Sequence, residues 1–212
     1  MSSTAISAQG SVLSIGTGSG AAKTITAISL GNPTILTSAI HGLSNGDVVA
    51  IAGLTGTNAS LINGQTWSVQ SITANTFALN INTLGATITA AGTATPVSFT
   101  AVGNLKDFSG FDGSASEIDV TNMASTAKEF RLGLVDSGQF SINIDYDSNN
   151  AGHIALRAKQ VSGALSNFKL TLPNAQNITF AGLVKKFNLA GGVDAVAKTS
   201  VDIRISGDVT GL

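Results

Sequence analysis

The sequence predicts a mainly β protein carrying one α-helix, with a second, smaller all-β module inserted near its N-terminus. Three observations lead there. Gly is abundant, at 24 of 212 residues, and Pro is scarce, at 3. Thr, Ser, Asn, Ile and Val dominate the rest, a composition that suits pleated strands joined by tight turns. Apolar and polar residues alternate with period two in several stretches of the C-terminal half, and only one stretch reads as helix. Charge divides the chain: between Thr24 and Thr100 the only charged residue is Asp47, whereas charges recur every few residues from Ala101 onward. That break places a module boundary near Ala94 to Pro96.

In chain order, Ser11 to Ile15 reads as a strand, and Gly16-Thr17-Gly18-Ser19-Gly20 as a flexible exit from it. The uncharged module follows over residues 24–94. Thr24 to Leu30 is a strand closed by Gly31-Asn32-Pro33, and Thr34 to Ala39 is the next. Asn45-Gly46 is a hairpin signal leading into Asp47 to Ile51, and Asn63-Gly64 is another, leading into Thr66 to Ile72. Asn75-Thr76 turns the chain into Phe77 to Ile81. About six strands in about 75 residues suit a small barrel or sandwich. Val97 to Val102 then resumes the first module, so residues 1–23 and 95–212 form one discontinuous domain. Insertion at a loop tip is tolerated because ends already close together are cheaply rejoined.

Downstream, Phe140, Ile142, Ile144 and Tyr146 alternate with Ser141, Asn143 and Asp145, which predicts one buried and one wet face. Val201, Ile203 and Ile205 repeat the pattern against Asp202 and Arg204, as do Phe168, Leu170 and Leu172 against Lys169 and Thr171. The helix spans about Ala151 to Val161. Asn149 or Asn150 caps it, Ile154, Ala158 and Val161 form its apolar stripe, and Gly163 follows its end.

Composition excludes several functions. The formal net charge is −1, so no general basic field attracts nucleic acid. Mean hydropathy is high at +0.31. No apolar run approaches the roughly 18 to 20 residues that cross a bilayer, so no membrane insertion is expected and the apolar surface suits cover by another subunit. With no cysteine, disulfides and thiolate chemistry are impossible. Met1 to Gly10 lacks the charge and apolar core of a signal peptide. The sequons at Asn58 and Asn177 are read as chance matches.

No chemistry-bearing motif survives inspection. Gly16 to Thr24 has the look of a phosphate-binding loop, but Thr17 and Ala22 occupy its required glycine positions. His41 and His153 fall in different modules and do not make a metal set; His41 shapes a turn and His153 sits in the helix's first turn. No serine stands in a nucleophile elbow, and Asp145 and Asp147 read as surface or inter-subunit charge. Trp67 is assigned to the core of the insert. No catalytic residue, metal or cofactor is expected.

Gly113-Ser114-Ala115-Ser116 and Ile118-Asp119-Val120-Thr121 resemble the opening signature of the major tail tube proteins of long-tailed, siphovirus-like bacteriophages. The likeness continues through Ser125 to Glu129, Gly133-Leu134, Asp136 to Phe140 and Tyr146-Asp147, then the helix, Leu165 to Leu172 and Val201 to Gly207. It covers residues 1–23 and 95–212. Residues 24–94 resemble a different β-module found on phage proteins, named after the first catalytic-cysteine half-domain of ubiquitin-activating enzymes. His41-Gly42-Leu43, Gly46 to Val49, Gly53, Asn63-Gly64 and Asn75 to Phe77 carry that likeness. Lacking cysteine, the insert inherits no thioester chemistry.

The tail tube resemblance implies a non-enzymatic virion subunit with a sandwich or barrel and one packed helix. Six copies close a ring through an inner β-barrel, which removes exposed strand edges, and rings stack into a conduit for DNA. Stacking would use a long flexible loop, here about Asp107 to Lys128, with Asp107, Ser109, Gly110, Asp112, Gly113, Ser114, Glu117, Asp119 and Lys128 as its polar and flexible positions. Its glycines and serines suggest that it holds no single shape in the monomer. A tube through which DNA slides should not hold phosphates, since every neutralised phosphate adds affinity. Ser141, Asn143 and Asp145, on the wet face of the clearest strand, are therefore the candidate lumen residues, with an outer solvent face as the competing reading. Lys185-Lys186 reads as a subunit contact or solvated face.

The expected partners are further copies of the chain, the tail-end and terminator proteins, and double-stranded DNA passing without specific binding. The insert would decorate the outside, with weak host-surface contact as one role. The alternatives are a capsid-decoration or tail-terminator subunit, which makes one ring and stops, and a free β-sandwich adhesin, which stays dispersed.

Overall fold

A computed structural model describes residues 5–89 and 91–212. The first four residues of the expected discontinuous domain, and Ala90 of the expected insert, lie outside the described residues. In chain order the strands are β1 (Val12–Ser19), β2 (Lys23–Thr24), β3 (Ala27–Ser29), β4 (Thr34–Thr37), β5 (Val48–Ala52), β6 (Thr66–Gln70), β7 (Thr76–Leu79) and β8 (Thr93–Ala101). They continue with β9 (Leu105–Gly110), β10 (Ser114–Asp119), β11 (Phe130–Asp136) and β12 (Gln139–Asp145). Helix α1 (Ala151–Ser162) precedes β13 (Ser166–Thr171), β14 (Asn177–Ala190) and β15 (Lys198–Thr210). The fold is mainly β with one α-helix among the described residues, as expected.

The chain divides into two units: Met1–Thr100 with Asn167–Thr179 and Thr210–Leu212, and Ala101–Ser166 with Phe180–Val209. In the first, the strand order is β3-β4-β7-β6-β5-β8-β1-β13, and β2 also pairs with β8. A cluster of buried side chains that includes Leu36, Val49, Ile51, Ile62, Phe77 and Leu79 draws all its members from Ile25 to Ala94. Trp67 packs against that cluster and donates its indole N–H to the Ile62 carbonyl at 3.2 Å. Asp47, the lone charge of this stretch, lies 3.8 Å from Lys169 of β13, whose ammonium also stands 4.8 Å from the Phe99 ring centre. Thr66 donates to Asn167 at 3.2 Å, and Thr179 to Ser68 at 3.1 Å. The first unit thus takes in residues 24–94 together with β1, β8 and β13.

Three details of this unit differ from expectation. Thr24 to Leu30 is not one strand: β2 pairs with β8, and β3 pairs with β4. Asn45-Gly46 turns the chain into β5 but closes no hairpin, because β4 pairs with β3 and β7 while β5 pairs with β6 and β8. Gly16 to Ser19 is no flexible exit; it is the second half of β1. A Cβ on Gly16 would stand 2.9 Å from Val97 and 3.3 Å from the Asn167 carbonyl oxygen, so glycine serves close approach here, not freedom.

The second unit orders most of β14 and β15 with β12 and β9 as β14-β15-β12-β9, and adds the separate hairpin β10-β11. Strand β12 buries Phe140, Ile142 and Ile144 to 1% exposure or less, as its alternation predicts. Phe140 meets Phe111 at 5.0 Å, Phe180 at 5.2 Å and Phe108 at 6.1 Å between ring centres. Helix α1 starts where expected: Asn150 accepts from the Gly152 and His153 N–H groups at 2.9 and 3.2 Å, and left-handed Gly163 ends it. Its orientation is the reverse of expectation. Gly152, His153 and Leu156 are buried, whereas Ile154, Ala158 and Val161 face solvent. His153 decides the facing. Its Nδ1 accepts the Asp147 N–H at 3.1 Å and its Nε2–H donates to the Gly103 carbonyl at 2.8 Å, a satisfied buried pairing that an apolar count overlooks.

Candidate functional site

The polar face of β12 is the first candidate. On it, Ser141 lies opposite Asp202 of β15 and Ser109 of β9, and Asn143 opposite Ser200 and Asp107. These are cross-strand neighbours, and their side chains meet. Ser141 donates to Asp202 at 2.9 Å and accepts from the Gln139 amide at 3.0 Å. Asn143 donates to Asp107 at 2.7 Å. Asp145 Oδ2 lies 3.2 Å from the Lys106 ammonium, while its Oδ1 is buried without a hydrogen-bond partner. The three candidate lumen residues therefore belong to one polar ladder across β9, β12 and β15. Of the cations beside this ladder, Lys106 stands with Asp145 and Arg204 with Asp136, and Lys198 lies across from Asp145 in the register. The face offers hydrogen bonding without a concentrated field of either sign.

The second candidate is the segment from Asp107 to Lys128, expected as a long flexible loop; it carries most of β9 and all of β10. Asp107, Ser109 and Gly110 lie in β9, paired to β12. Asp112 and Gly113 form the crossing into the hairpin, Ser114, Glu117 and Asp119 lie in β10, and Lys128 precedes β11. Two features hold this path. Phe111 adopts a left-handed backbone (φ 60°) and sends its ring onto Phe140 and Phe180. Cβ atoms on Gly110 and Gly113 would stand 2.3 Å and 2.2 Å from the Gln139 and Asp136 carbonyl oxygens, so these glycines let the outgoing and returning chains approach. Weighing only glycine and serine overlooks the anchoring aromatics Phe108 and Phe111.

Hydrogen bonds also shape the hairpin's charges. The Thr121 hydroxyl and N–H hold the Asp119 carboxyl below its ordinary value, helped by Lys128. The Gly138 N–H, at 2.9 Å, and then Arg204 do the same for Asp136.

Beyond the expected polar positions, the hairpin exposes an apolar face. Phe130, Leu132 and, past a β-bulge at Gly133-Leu134, Val135 share one side of β11, with Asp119 opposite Phe130, Glu117 opposite Leu132 and Ala115 opposite Val135. Val135 is 74% exposed and Leu132 73%. Only its start, Phe130-Arg131-Leu132, reads as alternation in the sequence; the bulge that brings Val135 to the same side breaks the period of two.

Residues 79–176, a little under half the chain, match the family model described as phage tail tube, TTP, lambda-like. Among solved structures, a tail of an empty GTA particle, determined with helical refinement in C6 symmetry, is similar at a TM-score of 0.46 and 16% identity, over 54% of this chain and 86% of that one. No curated protein matches in sequence.

Proposed function

We propose that this chain is a phage tail tube subunit, that six copies close a ring and that rings stack into the DNA conduit of a virion tail; the match of residues 79–176 to the lambda-like tail tube family model supports the reading. The observation that carries the ring is the open edge of the second unit's sheet. Strand β9 has β12 on one side and, among the described residues, no strand on the other. An uncovered edge is a pairing template, and a ring of copies removes it by closure. The polar ladder of Ser141, Asn143 and Asp145 lies one strand in from that edge and lines the lumen in this reading. It presents hydroxyl, amide and carboxylate groups that let phosphates pass, because no array of free cations gathers them.

The remaining roles follow from the same reading. The hairpin β10-β11, with Glu117, Asp119 and Lys128, makes contacts between rings. Residues 24–94, which supply every member of their own buried cluster, form an inserted module on the outer surface, with weak host-surface contact as one role. The protein is structural and not an enzyme, assembles in the host cytoplasm, and meets the tail-end and terminator proteins at the tube ends. Native mass spectrometry of dilute protein tests the ring: a species of six times the 21.3 kDa chain mass is expected. Monomer or trimer alone at every concentration contradicts it.

A further inference from the structure

Resting on the tube reading, we propose that the apolar side of hairpin β10-β11 in one copy docks on the outward stripe of helix α1 in the next copy. The helix stripe is Ile154, Ala158 and Val161, with Leu165 just beyond the helix end. Ile154 is 55% and Val161 74% exposed, directly opposite the buried Leu156. A helix packed on one side only should be polar on the other. Here the outer side is as apolar as the inner, so it is built for a second contact.

Charge selects the occupant. Eight of the chain's twelve carboxylates fall within residues 107–147, with only Lys128 and Arg131 as cations. Residues 148–193 hold five cations and no carboxylate. Within these stretches, the hairpin's exposed Phe130, Leu132 and Val135 are bordered by Glu117 and Asp119, with Lys128 6.0 Å from the Phe130 ring centre and 3.8 Å from Asp119. The helix stripe is bordered by Arg157, which lies 5.9 Å from the Phe187 ring centre; Lys185 stands two residues before Phe187 on β14. One patch is apolar with two carboxylates and one cation at its rim, a net negative balance, and the other is apolar with cations alone at its rim. Such patches attract each other and repel their own kind. Two different surfaces of one chain meeting head to tail make a heterologous contact, which closes into rings or runs on as a filament. A self-complementary patch would stop at a dimer.

The chain has no cysteine, so engineered thiols report this contact without background. Two single variants, Leu132→Cys and Val161→Cys, are assembled together and oxidised. The expected result is a disulfide dimer from the mixture and none from either variant alone. Dimers from one variant alone contradict the head-to-tail arrangement. Tubes that form from the mixture without a mixed disulfide contradict the docking and leave the tube reading intact, whereas wild-type protein that never makes tubes overturns the tube reading itself. A second variant, Val161→Glu, keeps the circular dichroism of the monomer and loses tube formation. If it assembles as wild type does, the proposal fails.

Discussion

At the scale of single residues, short hydrogen-bonded turns control the path of the second unit. Asp136 accepts the Gly138 N–H and pairs with Arg204, which depresses its carboxyl below the ordinary 3.8. The unfolded chain then binds a proton more readily than the folded one, so this contribution is fully present above pH 3.8 and fades as pH falls through the folded value. Asp136→Asn mimics the protonated group. Its destabilisation in urea should be measurable at pH 6 and shrink progressively below pH 3.8; a difference that stays constant with pH would contradict the assignment. The helix cap gives a second case. Asn150 accepts from two helical N–H groups, so Asn150→Ala should cost about 1 kcal/mol of unfolding free energy. His153 shows what single residues conceal. A histidine with both ring nitrogens satisfied is core, and nothing in its sequence spacing says so.

At the scale of elements, strands were more legible than faces. Alternation in Phe140 to Tyr146 located β12 and its buried side, because a half-buried strand has only two sides to choose between. The helix was found from Asn150, Gly163 and its length, yet its stripe was placed on the wrong side. Ile154, Ala158 and Val161 form a true apolar stripe, and the buried face is the shorter set of Gly152, His153 and Leu156. Periodicity reveals that an apolar face exists; it does not reveal whether this chain or another covers it. The two faces separate cleanly by mutation. Leu156→Ala should destabilise the folded chain by about 2 to 5 kcal/mol, whereas Ile154→Ala should stay within about 0.5 kcal/mol. Equal losses at both positions would contradict the observed facing. The strands within Asp107 to Lys128 are hidden in the sequence for a related reason. Gly110 and Gly113 read as freedom, yet their lack of a Cβ also admits neighbouring carbonyls at distances no side chain tolerates.

At the scale of the whole molecule, the division of charge seen in the sequence marks real physical differences. A stretch whose only charge is Asp47 supplies its own buried cluster from Ile25 to Ala94. We expect protein lacking residues 25–94 still to assemble, with smoother tubes; failure to assemble would give the insert a part in building the tube. Elsewhere, an open strand edge, an apolar hairpin and an outward apolar stripe all lie in the second unit. A free monomer gains nothing from such surfaces, and a polymer of copies covers them. Negative-stain electron microscopy of the purified protein, first dilute and then concentrated, is the direct test. Long hollow tubes with a regular axial repeat and lateral knobs are predicted on concentration. Particles that remain dispersed at every concentration, or rings that never stack, would contradict a tail tube subunit.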